Sequence, residues 1–467
     1  MGHRKTRSKF YDSLRIEAIS SEGLGIARVN EKVVFVENCV PGDLVKAKTY
    51  QQQKNFEKAR MVELLEPSPD RIPEFCSHFK VCGGCKWQYL PYEKQLALKE
   101  KIVEDAFSRL AKVEIGEKRA ILAAPDTSFY RNKLEYTFST NRWLSRDEIS
   151  GEEDLNKNAL GFHVPGNHSK IVDLDTCYLQ NDFSNRLRNA VKNYALEKDL
   201  VFYNIQERTG FLRNLVVRTA STEEILVILI VNHDDEALLP LMEFIKTSFP
   251  EITSLNYIIN PKLNDTYFDL EPVCYHGKPF IIEKLGKFSF KIRPKSFFQT
   301  NTKQGERLYD IVKEFAALKG HEVLYDLYSG VGSIGLYLSD DCSKLVGIEQ
   351  IDQAVEDAKE NAKINGVENA SFYVGDVRLL LSNEFLNKNR KPDVLITDPP
   401  RAGMHPDIIK TLLEAKIPRI VYVSCNPGTQ ARDVAMLDSL YKVVKMQAVD
   451  MFPHTIHIEN VALLELR

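Results

Sequence analysis

The segment VYVSCNPGT, Val421 to Thr429, ends an apolar, strand-like run on Cys425 and then turns. A purely structural cysteine sits more naturally inside such a strand, as a small core residue. At the carboxyl end of a strand in an open α/β sheet it lies where ligands bind, and there a thiol can act as a nucleophile. Acids occupy the same kind of position. Asp326 ends EVLYD, Glu349 ends KLVGIE, Asp376 ends SFYVGD and Asp398 ends DVLITD. Asp398 opens the turn Asp398-Pro399-Pro400-Arg401, in which two prolines restrict the backbone. Between Asp326 and the next helix stand Gly330, Gly332 and Gly335 in the spacing G-x-G-x-x-G, which lets a nucleotide approach the backbone closely.

That glycine loop alone is equally a dinucleotide-binding signature. The acids shift the reading. Asp326 would face a pyrophosphate unfavourably and suits a ligand with a cationic amino-acid part. Glu349 is placed for a ribose diol, and Asp376 is within reach of an adenine amino group. Each acid taken singly could be a helix N-cap or a solvated strand end. Three at successive strand ends look like the S-adenosylmethionine site of class I methyltransferases. Arg401 stands where amino-methylating enzymes usually carry an aromatic residue that stacks on the base, which argues against N-methylation. No cysteine follows the Asp-Pro-Pro turn, as it commonly does in RNA cytosine-C5 methyltransferases, so Cys425 is the thiol available at a strand end of this sheet.

A second cysteine set is Cys76-x5-Cys82-x2-Cys85 on a Gly-Gly loop, with Cys177 far downstream. Eight cysteines in a long intracellular chain do not imply disulfides, and clustered ones favour metal binding or catalysis. Three within ten residues can wrap one inorganic cluster. Zinc also accepts four thiolates, although its ribbons more often use paired C-x2-C units. Cys39, Cys274 and Cys342 read as ordinary buried or half-buried thiols.

The elements that must position these groups fall into three regions of the 467-residue chain. Residues 1–67 hold short β-rich runs separated by glycine turns, the pattern of a small OB-like barrel. Residues 68–287 form a mixed α+β central domain that opens with the cysteine cluster and includes the buried-strand run ILVILIV and the exposed polar stretch Ser145–Asn158. Residues 288–467 alternate strands and helices, which predicts an α/β doubly wound parallel sheet. The helix IDQAVEDAKENAKIN stops at Gly366. The last two strands, VVKMQAVD and VALLELR, are joined too closely for a crossover helix and should pair antiparallel. Net charge is −3, so any nucleic-acid surface is local. The basic run Gly2–Phe10 could contact phosphate as a solvated arm. No apolar run follows it and the longest apolar run is too short to span a bilayer, which predicts a cytoplasmic protein without a membrane segment.

Over essentially its whole length the sequence resembles the RNA 5-methyluridine methyltransferase family. The resemblance rests on FFQTN (Phe297–Asn301), DLYSGVGS, DPPR, SCNP and FPHTIHIE (Phe452–Glu459), on the cysteine pattern, and on an N-terminal barrel like a TRAM domain. It implies that Cys425 is the nucleophile, Glu459 the general base, and Asp398 a group that hydrogen-bonds the uracil and borders the cofactor. It implies S-adenosylmethionine contacts at Gln299, Tyr328, Ser333, Glu349 and Asp376, with Ser333 standing where relatives often have Asn. His454 and His457 could position Glu459 or merely satisfy loop hydrogen bonds. Phe297 is a candidate stacking partner for a flipped base. Members with this cysteine pattern hold a 4Fe-4S cluster on four thiolates, here Cys76, Cys82, Cys85 and Cys177. That version resembles the branch acting on 23S rRNA, with tRNA as the other RNA partner and no obligate protein partner evident. Two other classes fit part of the pattern: an inactive RNA-binding assembly factor, against which Cys425 and Glu459 speak, and a nicotinamide-dependent oxidoreductase, against which Asp326 and SCNP speak.

Overall fold

The computed structural model describes residues 8–151 and 155–467. Residues 2–7 of the basic run and residues 152–154 of the polar stretch lie outside the described residues. The remainder of that stretch includes a short helix, Arg146–Ser150, closed by a capping box between Ser145 and Glu148.

The N-terminal unit is a six-stranded sheet in which all neighbours are antiparallel except Lys32–Glu37 against Phe56–Glu66. Alternation sends Val34 and Val36 inward, where they meet Tyr11, Leu14, Ile16, Val45 and Ala59. The central sheet has seven strands, and Leu212–Thr219 pairs with both Lys133–Ser139 and Ile225–Val231. All seven residues of Ile225–Val231 are buried. At about 1.5–3 kcal/mol for each fully buried aliphatic side chain, this strand anchors the domain.

The third sheet positions the site. Five strands, Val323–Leu327, Lys344–Glu349, Ala370–Val374, Val394–Thr397 and Arg419–Ser424, are parallel, as the alternating pattern predicts. Glu459–Leu466 runs antiparallel to both Arg419–Ser424 and Tyr441–Val449. The helix Asp352–Ile364 ends at Gly366, which has a φ of +66°. The eighth strand, Ile115–Leu122, comes from far upstream and pairs in parallel with Tyr441–Val449. The helix Tyr92–Ala106 packs on that same edge. Strand order reverses between Val323–Leu327 and its two neighbours, Lys344–Glu349 and Val394–Thr397, and such a reversal opens a crevice at the carboxyl ends of the strands. Among the described residues no helix is long and apolar enough to cross a membrane.

Candidate active site

The glycine loop forms one side of the crevice. Asp326 is 1% exposed, and its Oδ2 accepts a hydrogen bond from Gly335 N at 2.9 Å. A Cβ on Gly335 would sit 2.9 Å from that same oxygen, so only glycine lets the helix start this close to the carboxylate. Asp326 Oδ1 is buried and has no hydrogen-bond partner, and neither have Ser329 Oγ and Thr397 Oγ1 nearby. Burial pushes the Asp326 carboxyl up to about 7, with smaller upward contributions from Asp398 and Glu349. A buried acceptor left unpaired costs on the order of 1–3 kcal/mol, and more when it is charged. A bound ammonium group would relieve that cost. Gly330, with a φ of +54°, faces open space: a Cβ there would meet nothing within 4 Å. The orphaned acid and the open glycine backbone fit the amino-acid part of S-adenosylmethionine.

The other expected contacts lie as follows. Glu349 accepts from Gly330 N and Ile351 N, both at 3.0 Å, which orients its carboxylate at the strand end. Ser333 Oγ is 2.9 Å from the hydroxyl of the buried Tyr309. Tyr328 is half-buried with a φ of +62°, a left-handed conformation uncommon for its type. Gln299 is buried, and its carbonyl accepts from Asn132 Nδ2 at 3.0 Å. Asp376 caps a four-residue helix by accepting from Arg378 N at 2.8 Å, so the N-cap alternative is realised there.

Cys425 forms the second side. The antiparallel register pairs Ser424 with Asn460, so the next pair along brings Cys425 opposite Glu459. The chain then turns through Asn426, whose side chain accepts from Gly428 N at 3.1 Å and caps the helix Pro427–Leu437. Asn426 Nδ2 also donates to the carbonyl of Arg401 at 3.1 Å, and Thr429 Oγ1 donates to it at 3.2 Å. These bonds fasten the DPPR turn to the SCNP turn and bring Asp398, Cys425, Glu459 and Arg401 to one place.

The electrostatics follow from that grouping. Burial raises the Cys425 thiol to about 11, helped by Glu459 and Asp398 and opposed by Arg401. Burial pushes Asp398 up to about 7. Glu459 is held well above the carboxylate range by burial first and then by Asp398, with Arg401 pulling it down. The charge of Asp398 thus disfavours ionisation of its buried neighbour Glu459, so this pair is placed to hold a proton.

The loop Phe452–Glu459 separates its two histidines. His454 is buried; its carbonyl accepts from Lys86 N at 2.7 Å, and Gln95 bonds both its backbone N and its ring Nδ1. It satisfies loop hydrogen bonds, the plainer of its two expected roles. His457 is exposed and its Nδ1 lies 3.5 Å from the Arg401 guanidinium. Phe297 is 69% exposed beside the buried Phe298.

Cys76, Cys82, Cys85 and Cys177 line one cavity together with Phe79, Phe162, Leu174 and Leu179. All four are free thiols. Burial pushes Cys82 and Cys85 up to about 12, and the thiols raise one another further. Among the described residues no three His, Cys, Asp or Glu side chains converge on a single-ion site.

Sequence reasoning overlooked two groups. Arg401 was informative only as a missing aromatic, yet its charge acts on both Cys425 and Glu459. The buried pair Lys99–Asp450, at 2.6 Å, fixes the start of the loop that leads to Glu459. Its partners are far apart in sequence, and no local pattern links them.

Comparison with known proteins is consistent with this geometry. A family model described as tRNA (Uracil-5-)-methyltransferase matches residues 280–467, and one described as the TRAM domain of tRNA (uracil(54)-C(5))-methyltransferase matches residues 14–69. An uncharacterized RNA methyltransferase of Bacteroides thetaiotaomicron is 50% identical over 96% of this chain and 100% of its own length. One from Porphyromonas gingivalis is 44% identical over 97% and 99%. The structure of Pyrococcus abyssi tRNA (uracil-54, C5)-methyltransferase in complex with S-adenosyl-L-homocysteine aligns at TM-score 0.77 and 31% identity, covering 97% of this chain and 100% of that one. With its TRAM barrel and its class I sheet, the chain belongs to the RNA uracil-5-methyltransferase family and is an S-adenosylmethionine-dependent enzyme.

Proposed function

We propose that the protein methylates carbon 5 of a specific uridine in RNA, in the cytoplasm, through a transient covalent bond between Cys425 and the base. The observation that carries this reading is the strand register that brings Cys425 opposite Glu459, with Asp398 and Arg401 beside them. Carbon 5 of uracil is a poor nucleophile. The Cys425 thiolate donates its electron pair to carbon 6, and the carbon 5–carbon 6 π pair moves toward the O4 carbonyl as an enolate. Asp398, holding a proton near neutral pH, donates a hydrogen bond to the base and stabilises that charge. Bound S-adenosylmethionine supplies the electrophilic methyl group. Asp326, Glu349, Asp376, Gln299, Tyr328 and Ser333 would hold it, and Asp398 would border it. Glu459 then removes the carbon-5 proton, the C–H pair re-forms the double bond, and the C–S pair returns to Cys425. Arg401 favours the thiolate during addition. Phe297, largely exposed, is the candidate to stack on a flipped or neighbouring base.

The RNA is assigned to 23S rRNA, on the resemblance of the four-cysteine pattern. A second reading, tRNA, is favoured by the likeness to the Pyrococcus abyssi enzyme over nearly the whole chain. A 4Fe-4S cluster on Cys76, Cys82, Cys85 and Cys177 is supported by their sharing one apolar-walled cavity. Its part is structural, since methyl transfer moves no net electrons. Iron and sulfide analysis of anaerobically purified protein, with Cys82→Ser beside it, tests that assignment.

The central test uses 23S rRNA and tRNA transcripts made with 5-fluorouridine, together with S-adenosylmethionine. Fluorine cannot leave as a proton does, so the adduct persists. A denaturation-stable protein–RNA band that is lost in Cys425→Ala supports the mechanism, and the transcript that gives it identifies the RNA. No band with either transcript, in protein that binds S-adenosylmethionine, overturns it.

A further inference from the structure

Outside the catalytic crevice three cations gather without an ion pair among the described residues. Arg218 and Lys133 are direct cross-strand partners in the central sheet. Like charges placed opposite each other destabilise a sheet. Arg131 joins them, its Nε donating to the Lys133 carbonyl at 3.2 Å. Among the described residues none of the three forms an ion pair, whereas most other basic side chains of the central domain do. Arg218 is 6% exposed, and one of its terminal nitrogens is buried with no hydrogen-bond partner.

The acids facing this group are otherwise engaged. Glu283 is buried and accepts from Ser221 N at 2.8 Å, Ser221 Oγ at 2.5 Å and Thr302 Oγ1 at 2.8 Å. Glu135 accepts from Tyr267 OH at 3.4 Å, and burial raises its pKa. Lys133 Nζ has the Tyr267 hydroxyl at 3.3 Å, and burial followed by Arg218 depresses it to about 8. Glu283 and Glu135 therefore offset part of the charge, but neither makes an ion pair with the three cations, and Arg218 keeps a buried nitrogen without a partner.

The site adjoins the reaction. Asn132, between Arg131 and Lys133, donates to the carbonyl of Gln299. The Arg131 guanidinium lies 5.3 Å over the ring of Phe452, at the start of the loop that ends on Glu459. We propose that Arg131, Lys133 and Arg218 form a binding site for a backbone phosphate of the substrate RNA, so that the strand carrying the target uridine is gripped beside the catalytic crevice. Arg131 and Lys133, both half-buried, meet the phosphate, and Arg218 backs them from inside the sheet. The inference rests on the RNA-methylating reading, and it identifies where the central domain holds that RNA.

The test measures dissociation constants for the 23S rRNA and tRNA transcripts over a salt series, for wild type, Lys133→Gln and Arg131→Gln. It adds the melting temperature of each free protein and its affinity for S-adenosylhomocysteine. The expected result for Lys133→Gln is RNA binding weaker by about 10-fold, a salt slope smaller by about 1, and a higher melting temperature, because a like-charge pair is gone. Arg131→Gln should repeat the loss of affinity and slope without altering the buried pair. Unchanged affinity and slope in both variants overturns the proposal. So does a lower melting temperature for Lys133→Gln with an unchanged slope, which makes the cations structural. A loss of S-adenosylhomocysteine affinity in place of RNA affinity also overturns it, because the pocket then serves the cofactor carboxylate. If the slopes fall as expected but wild type forms no adduct with 5-fluorouridine RNA, the phosphate site stands and the uracil mechanism fails.

Discussion

Two groups of cysteines in this molecule share one property and differ in everything else. Cys425 and the set Cys76, Cys82, Cys85 and Cys177 all have thiols raised by burial. Cys425 ends a strand at an open crevice, among two acids and an arginine. The other four face each other across an apolar-walled cavity. Burial makes a thiolate costly in both places, and the neighbours decide what can offset that cost. At Cys425 the proposed mechanism has a nearby cation and two carboxyls do so during one turnover. In the cavity a cationic centre, such as the proposed cluster, would have to offset it for as long as it is bound.

Experiments can break or sharpen this contrast. The largest expected effect is Cys425→Ala, which should lower methyl transfer by on the order of 10⁴-fold or more. Single-turnover methylation with radiolabelled cofactor measures it, and residual activity near wild type removes Cys425 from the mechanism. Glu459→Gln should cost on the order of 10²- to 10⁴-fold. It should also trap protein–RNA adduct with ordinary uridine, because the carbon-5 proton stays in place. A slow variant that traps no adduct makes Glu459 a positioning group instead of the base.

Asp326→Asn should weaken S-adenosylmethionine binding by roughly 10- to 100-fold, the worth of a charged hydrogen bond. Calorimetric titration reads that loss. The same variant should melt higher at pH 8. The folded-state value of about 7 lies above the ordinary carboxylate value, so the wild type loses stability as pH rises from about 4 through 7. The gain in the variant should therefore be full above pH 7 and vanish below about 4.

On the other side of the comparison, Cys82→Ser should lose iron and lower the melting temperature. Methyl transfer per folded molecule should fall only a few-fold, and a loss as deep as that of Cys425→Ala would make the two cysteine groups functionally equivalent. The smallest effect concerns the thiol itself. The iodoacetamide reaction rate of Cys425 should rise toward a midpoint of about 11. Glu459→Gln should move that midpoint down by removing a negative neighbour, and Arg401→Gln should move it up.

Much of the catalytic sheet was legible in the sequence because its signals are local. The βα alternation, the glycine loop, the Gly366 stop and the antiparallel last pair depend on residues close together in the chain. The strand-end acids were legible for the same reason, although Asp376 proved to be a helix cap as well. The electrostatic part of Arg401 was not legible, because it lies in the charge it presents to residues distant in sequence. The strand Ile115–Leu122 could not be read as part of the catalytic sheet, since its partner Tyr441–Val449 lies more than three hundred residues away in sequence. The opposition of Arg218 to Lys133 was equally hidden, because a one-residue slip of register would send either side chain to the opposite face.

The sequence by itself determined which chemistry is available: a thiol and acids at strand ends, a glycine loop for a nucleotide-like ligand, and four further thiols in a cluster pattern. Strand periodicity and turn chemistry are short-range, so they are written in consecutive residues. Only the tertiary structure decided which groups act together. Cys425 meets Glu459 through antiparallel register, Asp326 is left with an orphaned oxygen by burial, and Lys133 faces Arg218 across a sheet. Each of these depends on long-range pairing and on the removal of water, and the energy of a charge depends on both.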